Sequence, residues 1–356
     1  MGLTCGIIGL PGVGKSTVFS LLTGEDTNSY KRKDANLGIA RVPDERLDFL
    51  VELYKPRKVV YAQMDFTDIP GLASSSGGKA NPFLQHVRGS ELLIQVVRAF
   101  EDETYPHIYE SIDPLRDYDE TKMELIFSDL DLVEKRIQRI ESGKKKKENL
   151  EELQVLFKCK ERLEEELPIA GLDLTSEEER LISGFDFLTA RPMIVVINVD
   201  ESQFRQQEYP GKEEFEERLN ADQMHYIVIS AQIESEINAL EEGDRMVFME
   251  DLRIEESGIS RLAKAAYARL GLISFFTVGE DEVKAWTITD GLDARRAAGK
   301  IHSDIERGFI RAEVTSFSHI AAEGLMSKCK EKGLTRLEGK DYIVKDGDII
   351  TFRFNV

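Results

Sequence analysis

The stretch GIIGLPGVGKST, residues 6–17, decides how the rest of the chain is read. It holds Gly9-x4-Gly14-Lys15-Ser16, preceded by a short apolar run over residues 3–8. After it comes STVFSLLTG, in which Val18, Leu21 and Leu22 keep helical spacing. A strand, a glycine-rich loop and a helix in that order make the phosphate-binding arrangement of P-loop proteins. Glycine lets the backbone wrap closely, so that successive N–H groups and the positive helix end converge on an anion. In this reading Gly12, Val13, Gly14 and Thr17 line the phosphates, Lys15 lies on the β- and γ-phosphates, and the Ser16 hydroxyl ligates Mg2+.

Two further stretches fit the same site. VVYAQMDFTDIPGL, residues 59–72, alternates into a strand ending in Asp68-x-x-Gly71. A carboxylate at a strand end can hold Mg2+ through water, and the Gly71 N–H is placed to sense a γ-phosphate. HYIVISAQIES, residues 225–235, puts Ser230, Ala231 and Gln232 after another apolar strand, where backbone amides cover the base in related proteins.

IVVINVDES, residues 194–202, occupies the corner where guanine readers carry Asn-Lys-x-Asp. Here the four residues are Asn198, Val199, Asp200 and Glu201. Guanine offers N1–H and a 2-amino group, which an Asp carboxylate accepts together. Glu201 carries its carboxylate one methylene further out, and Val199 has no ammonium to lay over the ring. A site without its paired guanine contacts loses the selectivity they confer. Asn198 remains for an adenine edge, with the Val199 backbone beside N6, so ATP is expected to be preferred over GTP.

Bulk properties bound the reading. At 356 residues the chain has room for two or three domains. Its 41% hydrophobic and 32% charged content is that of a water-soluble chain. No apolar run reaches the ~20 residues of a membrane span, so no membrane partner is expected. Cys5, Cys159 and Cys329 are far apart and in no metal spacing, which fits small buried thiols in a reducing cytoplasm. A net charge of −19 argues against a DNA binder, and any RNA contact needs a local basic patch.

Such a patch exists. Residues 119–167 are rich in Glu, Lys, Leu and Ile and contain no Pro. Ile126, Leu130, Val133, Ile137 and Ile140 form one apolar seam, and Leu153, Leu156, Leu163 and Leu167 a second. Between them lie Lys144, Lys145, Lys146 and Lys147, the basic tip of two antiparallel helices and a candidate RNA contact.

Assembled, these motifs resemble the YchF family of Obg-like ATPases. The likeness rests on GLPGVGKST (9–17), VPDERLD (42–48), DFTDIPGL (65–72), FLQHVRGSELLIQVVRAF (83–100) and INVDES (197–202). It extends to KAWTITDGLDARRAAGKIHSDIERGFIRAEV (284–314) and EGKDYIVKDGDIITFRFNV (338–356), and so covers essentially the whole chain. The resemblance implies an α/β P-loop nucleotide-binding domain with a mainly parallel sheet, an inserted antiparallel helical arm, and a C-terminal α+β ubiquitin-like TGS domain. The corresponding boundaries are 1–115 with 185–272, then 116–184, then 273–356. It implies ATP as substrate, Mg2+ as cofactor, and the ribosome as partner, through its large subunit or as a whole, with rRNA and other translation proteins as further contacts. In the C-terminal part, SFFTV, VKAWTI, FIRAEVTSF, DYIVK and DIITFRFNV read as strands around a helix over DARRAAGKIHSDIERG.

The resemblance also implies slow hydrolysis. Leu72 stands where Ras-like proteins orient water with Gln, leaving catalysis to Lys15, the Gly71 amide and the metal. Two positions depart from the family. Gly12 replaces an Asn that helps hold a monovalent cation in relatives, and Arg32 falls where a switch Thr completes the magnesium shell. Thr27, Ser29 or water would have to substitute there. The alternative is a nucleotide-gated interaction module with negligible hydrolysis.

Overall fold

Runs of Ile and Val without a polar break make strands buried on both faces, the mark of a parallel sheet covered by helices. The computed structural model describes residues 4–25, 36–68, 82–143 and 149–355. Its strands in chain order are β1 (Thr4–Ile8), β2 (Asn36–Val42), β3 (Lys58–Val60), β4 (Ala62–Asp68), β5 (Leu92–Arg98), β6 (Met193–Asn198), β7 (His225–Ile229), β8 (Leu272–Val278), β9 (Glu282–Thr289), β10 (Phe309–Ser316), β11 (Arg336–Glu338) and β12 (Asp348–Phe354). The helices are α1 (Lys15–Thr23), α2 (Glu45–Tyr54), α3 (Pro114–Ser142), α4 (Leu150–Glu164), α5 (Ser176–Ile182), α6 (Glu201–Gln206), α7 (Lys212–Ala221), α8 (Ala231–Ala239), α9 (Glu242–Asp251), α10 (Gly258–Arg269), α11 (Ala294–Ile301), α12 (Ser303–Arg307), α13 (Phe317–Glu323) and α14 (Met326–Glu331). The chain divides into two compact units, Met1–Ile39 with Asp65–Leu262, and Ala40–Met64 with Ala263–Val356.

The first unit is built on a sheet of order β2-β4-β1-β5-β6-β7, with β4, β1, β5, β6 and β7 paired in parallel. Every residue of β5 and β6 is buried. All the C-terminal strand ends of a parallel sheet lie on one edge, which is where such folds bind ligands. Cys5, at 0% exposure, is packed inside β1, and burial pushes its thiol up to about 12, so it is inert. Cys159 and Cys329 are likewise free and buried.

One helix joins the sheet to the arm. Asp113 caps α3 by accepting from the Arg116 N–H, and Pro114 opens its first turn. Tyr118 and Leu125 pack in the core beside β5 and β6, and the Tyr118 hydroxyl donates to Asp222 at 2.8 Å. From Ile126 onward the same helix changes partners: Ile126, Val133, Ile137 and Ile140 pack with Leu153, Leu156 and Leu163 of α4. Asp129, fully buried at that root, accepts from the Leu188 and Thr189 N–H groups, the Thr189 hydroxyl and Arg88. Leu130 is only partly buried against the seam, and Leu167 lies outside it at 37% exposure. Helix α4 stops at Glu164 because Glu166 takes a left-handed φ of 60°. Bonds from Glu166 N to Leu163 O and from Leu167 N to Arg162 O then close the end in the Schellman pattern. Ile169 takes the place in the seam that Leu167 was expected to fill. Lys144, Lys145, Lys146 and Lys147 lie outside the described residues.

The second unit has its own sheet, ordered β11-β10-β12-β8-β9-β3. Phe275, Ile288, Ala312, Val314 and Ile350 form its core under Ala294 and Ala297 of α11. Trp286 packs at the edge of this core, its indole N–H donating to Thr277 and Lys284 lying over the ring. The expected strand at DYIVK is not one. That segment turns at Gly339–Tyr342 and contributes a single bridge, Asp293 to Ile343, while β11 forms earlier at Arg336–Glu338. The expected single helix is two, broken at His302, whose extended backbone and ring nitrogen cap α12.

Candidate nucleotide-binding site

The phosphate loop leaves β1 at Ile8 and enters α1 at Lys15. Its glycines are dictated by space. A Cβ on Gly9, at φ 139°, would stand 2.4 Å from the Val96 carbonyl oxygen, and one on Gly14, at φ 98°, would stand 2.4 Å from the Asn198 side-chain nitrogen. The loop is therefore pressed against the ends of β5 and β6.

Lys15 is buried and its ammonium donates to the Leu10 carbonyl at 2.7 Å, closing the loop across its own mouth. Burial lowers its pKa to about 8, against the opposing pull of Asp68. Asp68, at the end of β4, accepts from the Ser16 hydroxyl at 2.8 Å through one carboxylate oxygen. Its other oxygen, Oδ1, is buried without a hydrogen-bond partner among the described residues. Burial raises Asp68 above the usual carboxylate range, opposed by Ser16 and Lys15. A hydroxyl beside a carboxylate with one oxygen unspent is an oxygen donor set that suits Mg2+. Thr17 follows on α1, exposed.

Asn198 ties the base corner to this loop. Its amide nitrogen donates to the Val13 carbonyl at 3.0 Å, and its oxygen accepts from the Ala231 N–H at 3.0 Å. Ser230 caps α8 through the Ile233 N–H, while the Gln232 side chain bonds along the helix to Glu236, away from the corner. Val199 is packed in the core, and its N–H bonds the Ile229 carbonyl. Asp200 is a helix cap, accepting from Gln203 N–H, so it is spent on α6 and not on a base. Glu201, in the first turn of α6, is half-exposed and paired with Arg205 at 2.9 Å. Gly12, Val13, Gly14, Lys15, Ser16, Asp68, Asn198, Ser230 and Ala231 thus converge on one sheet edge. Gly71, Leu72, Thr27, Ser29 and Arg32 lie outside the described residues.

One neighbour was not singled out from sequence. Arg98 ends β5, fully buried, and its guanidinium donates to the carbonyls of Phe100, Tyr105 and Gly12. The signal is a lone arginine closing the largely apolar stretch LLIQVV, broken by Gln95 alone.

A parallel sheet bearing a phosphate loop after its first strand and a magnesium-type carboxylate after β4 defines the P-loop class of nucleotide-binding proteins. Residues 4–129 match the family model MMR_HSR1, described as 50S ribosome-binding GTPase. Residues 272–355 match YchF-GTPase_C, described as a protein of unknown function. The chain is 43% identical to the Ribosome-binding ATPase YchF of Bacillus subtilis (strain 168) and 40% identical to that of Escherichia coli O157:H7, each over 100% of both chains. Among solved structures it matches the Schizosaccharomyces pombe YchF GTPase with a TM-score of 0.85 at 30% identity, covering 99% of this chain and 98% of that one. A GTP binding protein from Pyrococcus horikoshii OT3, at 18% identity and TM-score 0.59, shares the fold over 99% of this chain and 100% of its own. The chain belongs to the YchF family.

Proposed function

We propose that this protein is an ATP-binding, slowly hydrolysing switch that associates with the ribosome and prefers ATP to GTP. The observation that carries the reading is the pair of hydrogen bonds of the Asn198 side chain, one donated to the Val13 carbonyl and one accepted from the Ala231 N–H, which makes the phosphate loop and the base corner one piece. A nucleotide held by its phosphates therefore meets a base corner with a Glu where guanine recognition uses an Asp. Adenine donates through N6, so from Val199 it would take the carbonyl, the N–H being already bonded.

Ser16 and Asp68 would hold Mg2+, which when bound neutralises charge on the terminal phosphates. Lys15 would leave the Leu10 carbonyl for the β- and γ-phosphates, and Gly71 would offer its amide to the γ-phosphate. With Leu72 in place of a water-orienting Gln, intrinsic turnover is slow and a partner completes the site. The ribosome as that partner is supported by relatives named Ribosome-binding ATPase YchF. The Lys144, Lys145, Lys146 and Lys147 tip is the proposed contact with rRNA.

Two measurements test the reading. In competition for a fluorescent nucleotide, ATP is expected to displace at lower concentration than GTP; GTP winning would reverse the assignment. Single-turnover ATP hydrolysis is expected to accelerate on adding ribosomes, and an unchanged rate would leave an ATP-binding protein without this trigger.

A further inference from the structure

Arg98 is 1% exposed, and among the described residues its guanidinium donates to three main-chain carbonyls: Phe100 at 2.8 Å, Tyr105 at 2.8 Å and Gly12 at 3.4 Å. The guanidinium also lies over the Phe100 ring, 4.5 Å from its centroid. Burying a guanidinium is costly, so a fold that keeps one has a use for its geometry. That geometry is a rigid planar fork with donors in fixed directions, able to fasten separate carbonyls at once. Here it fastens the turn after β5 to the phosphate loop.

A trans peptide is planar, with its C=O and N–H pointing in opposite directions. Holding the Gly12 carbonyl against Arg98 therefore turns the Val13 N–H away from β5. Asn198 does the same one peptide further on, taking the Val13 carbonyl and turning the Gly14 N–H. Consecutive amides so constrained are the elements of an anion-binding nest.

We propose that Arg98 is a positioning residue for phosphate binding: by holding the Gly12 carbonyl it presents the Val13 N–H to the β-phosphate of a nucleoside di- or triphosphate. The role rests on the nucleotide-binding reading above. It touches no ligand itself, and it acts only on nucleotides that have a β-phosphate.

The test compares full-length wild type with Arg98→Met and Arg98→Lys, measuring Mg-ADP by calorimetry and AMP, which lacks the β-phosphate, by competition. Arg98→Met is expected to weaken ADP by about tenfold while leaving AMP unchanged. Arg98→Lys keeps the charge and the stem but not the fork, and is expected to lower the ADP-to-AMP affinity ratio by about threefold. Equal losses for ADP and AMP, or none for either, would overturn the role. Where circular dichroism shows Arg98→Met unfolded, the ratio in Arg98→Lys decides, and an unchanged ratio rejects the proposal. A wild type that binds no ADP removes the nucleotide reading and this role together; a wild type and an Arg98→Met protein that bind ADP equally remove only the role.

Discussion

The Cα of Gly14 and the side-chain amide of Asn198 are in such close contact that a methyl group on the glycine would stand 2.4 Å from the amide nitrogen. Asn198 cannot retreat without giving up the Val13 carbonyl or the Ala231 N–H. Gly14→Ala is therefore expected to abolish nucleotide binding, with a lower Tm from the added strain at φ 98°. Asn198→Ala leaves both main-chain partners unpaired and is expected to cost about 1–3 kcal/mol in a denaturant titration. A Gly14→Ala protein that binds ATP like wild type would show that the contact has slack.

Lys15 gives the site a pH dependence. Its free-state pKa is lowered from the ordinary 10.5 to about 8 by burial, and a phosphate beside it would restore the charged form. Between those values the free site is neutral and the bound site charged. Binding therefore takes up a proton, and affinity falls as pH rises above about 8. Calorimetry at pH 8.5 in buffers of different ionisation enthalpy should read that uptake, and Lys15→Met should abolish it.

The same group strains the empty protein. Above about 8 the unfolded chain holds the Lys15 proton more tightly than the folded one, so the fold gains stability as pH rises toward 10.5. Below that window the buried charge is a full cost. Lys15→Met should raise the stability of the nucleotide-free protein at pH 7 by about 1–3 kcal/mol while removing the nucleotide-induced rise in Tm. A destabilised Lys15→Met protein would mean the ammonium supports the empty loop through Leu10.

Ser16 and Asp68 are expected to matter only with metal. Ser16→Ala and Asp68→Asn should erase the gain in ATP affinity that Mg2+ confers while leaving metal-free ATP affinity within about threefold. Titrations with and without a chelator separate the two.

Base choice should respond to one methylene. Glu201→Asp shortens the carboxylate and drops its pairing with Arg205, and is expected to narrow the ATP-over-GTP preference by about tenfold. Competition curves for the two nucleotides read it directly.

How legible all this was depended on where the information lay. The phosphate loop is plain because its chemistry is local: Gly9, Gly14, Lys15 and Ser16 sit in one short loop and the helix start that follows it, and backbone geometry demands them in that order. The strand β6 is equally plain from the unbroken Ile and Val run before Asn198, whereas β5, interrupted by Gln95, is not read as a buried strand from the sequence. The helix seams were read correctly until Leu167, where a left-handed Glu166 ended the periodicity with no glycine to announce it. DYIVK looked like a strand because Tyr, Ile and Val favour one, but its neighbours supplied a turn and no partner strand. Arg98 escaped because its meaning is nonlocal: only the sheet register brings β5 beside Gly12, 86 positions earlier.

Helix α3 runs unbroken for 29 residues, packed in the sheet core as far as Leu125 and pinned at its root by the bonds of Asp129 to Leu188, Thr189 and Arg88. Some 13 residues separate Asp129 from Ser142, a reach of ~20 Å at 1.5 Å per residue. With no Pro or Gly inside that span to absorb a bend, the helix acts as a pointer on a pivot. Any rocking of its root by ~5° would swing the far end by ~2 Å. Even a slight resettling of the sheet edge is thereby magnified into a displacement that a docked macromolecule could feel.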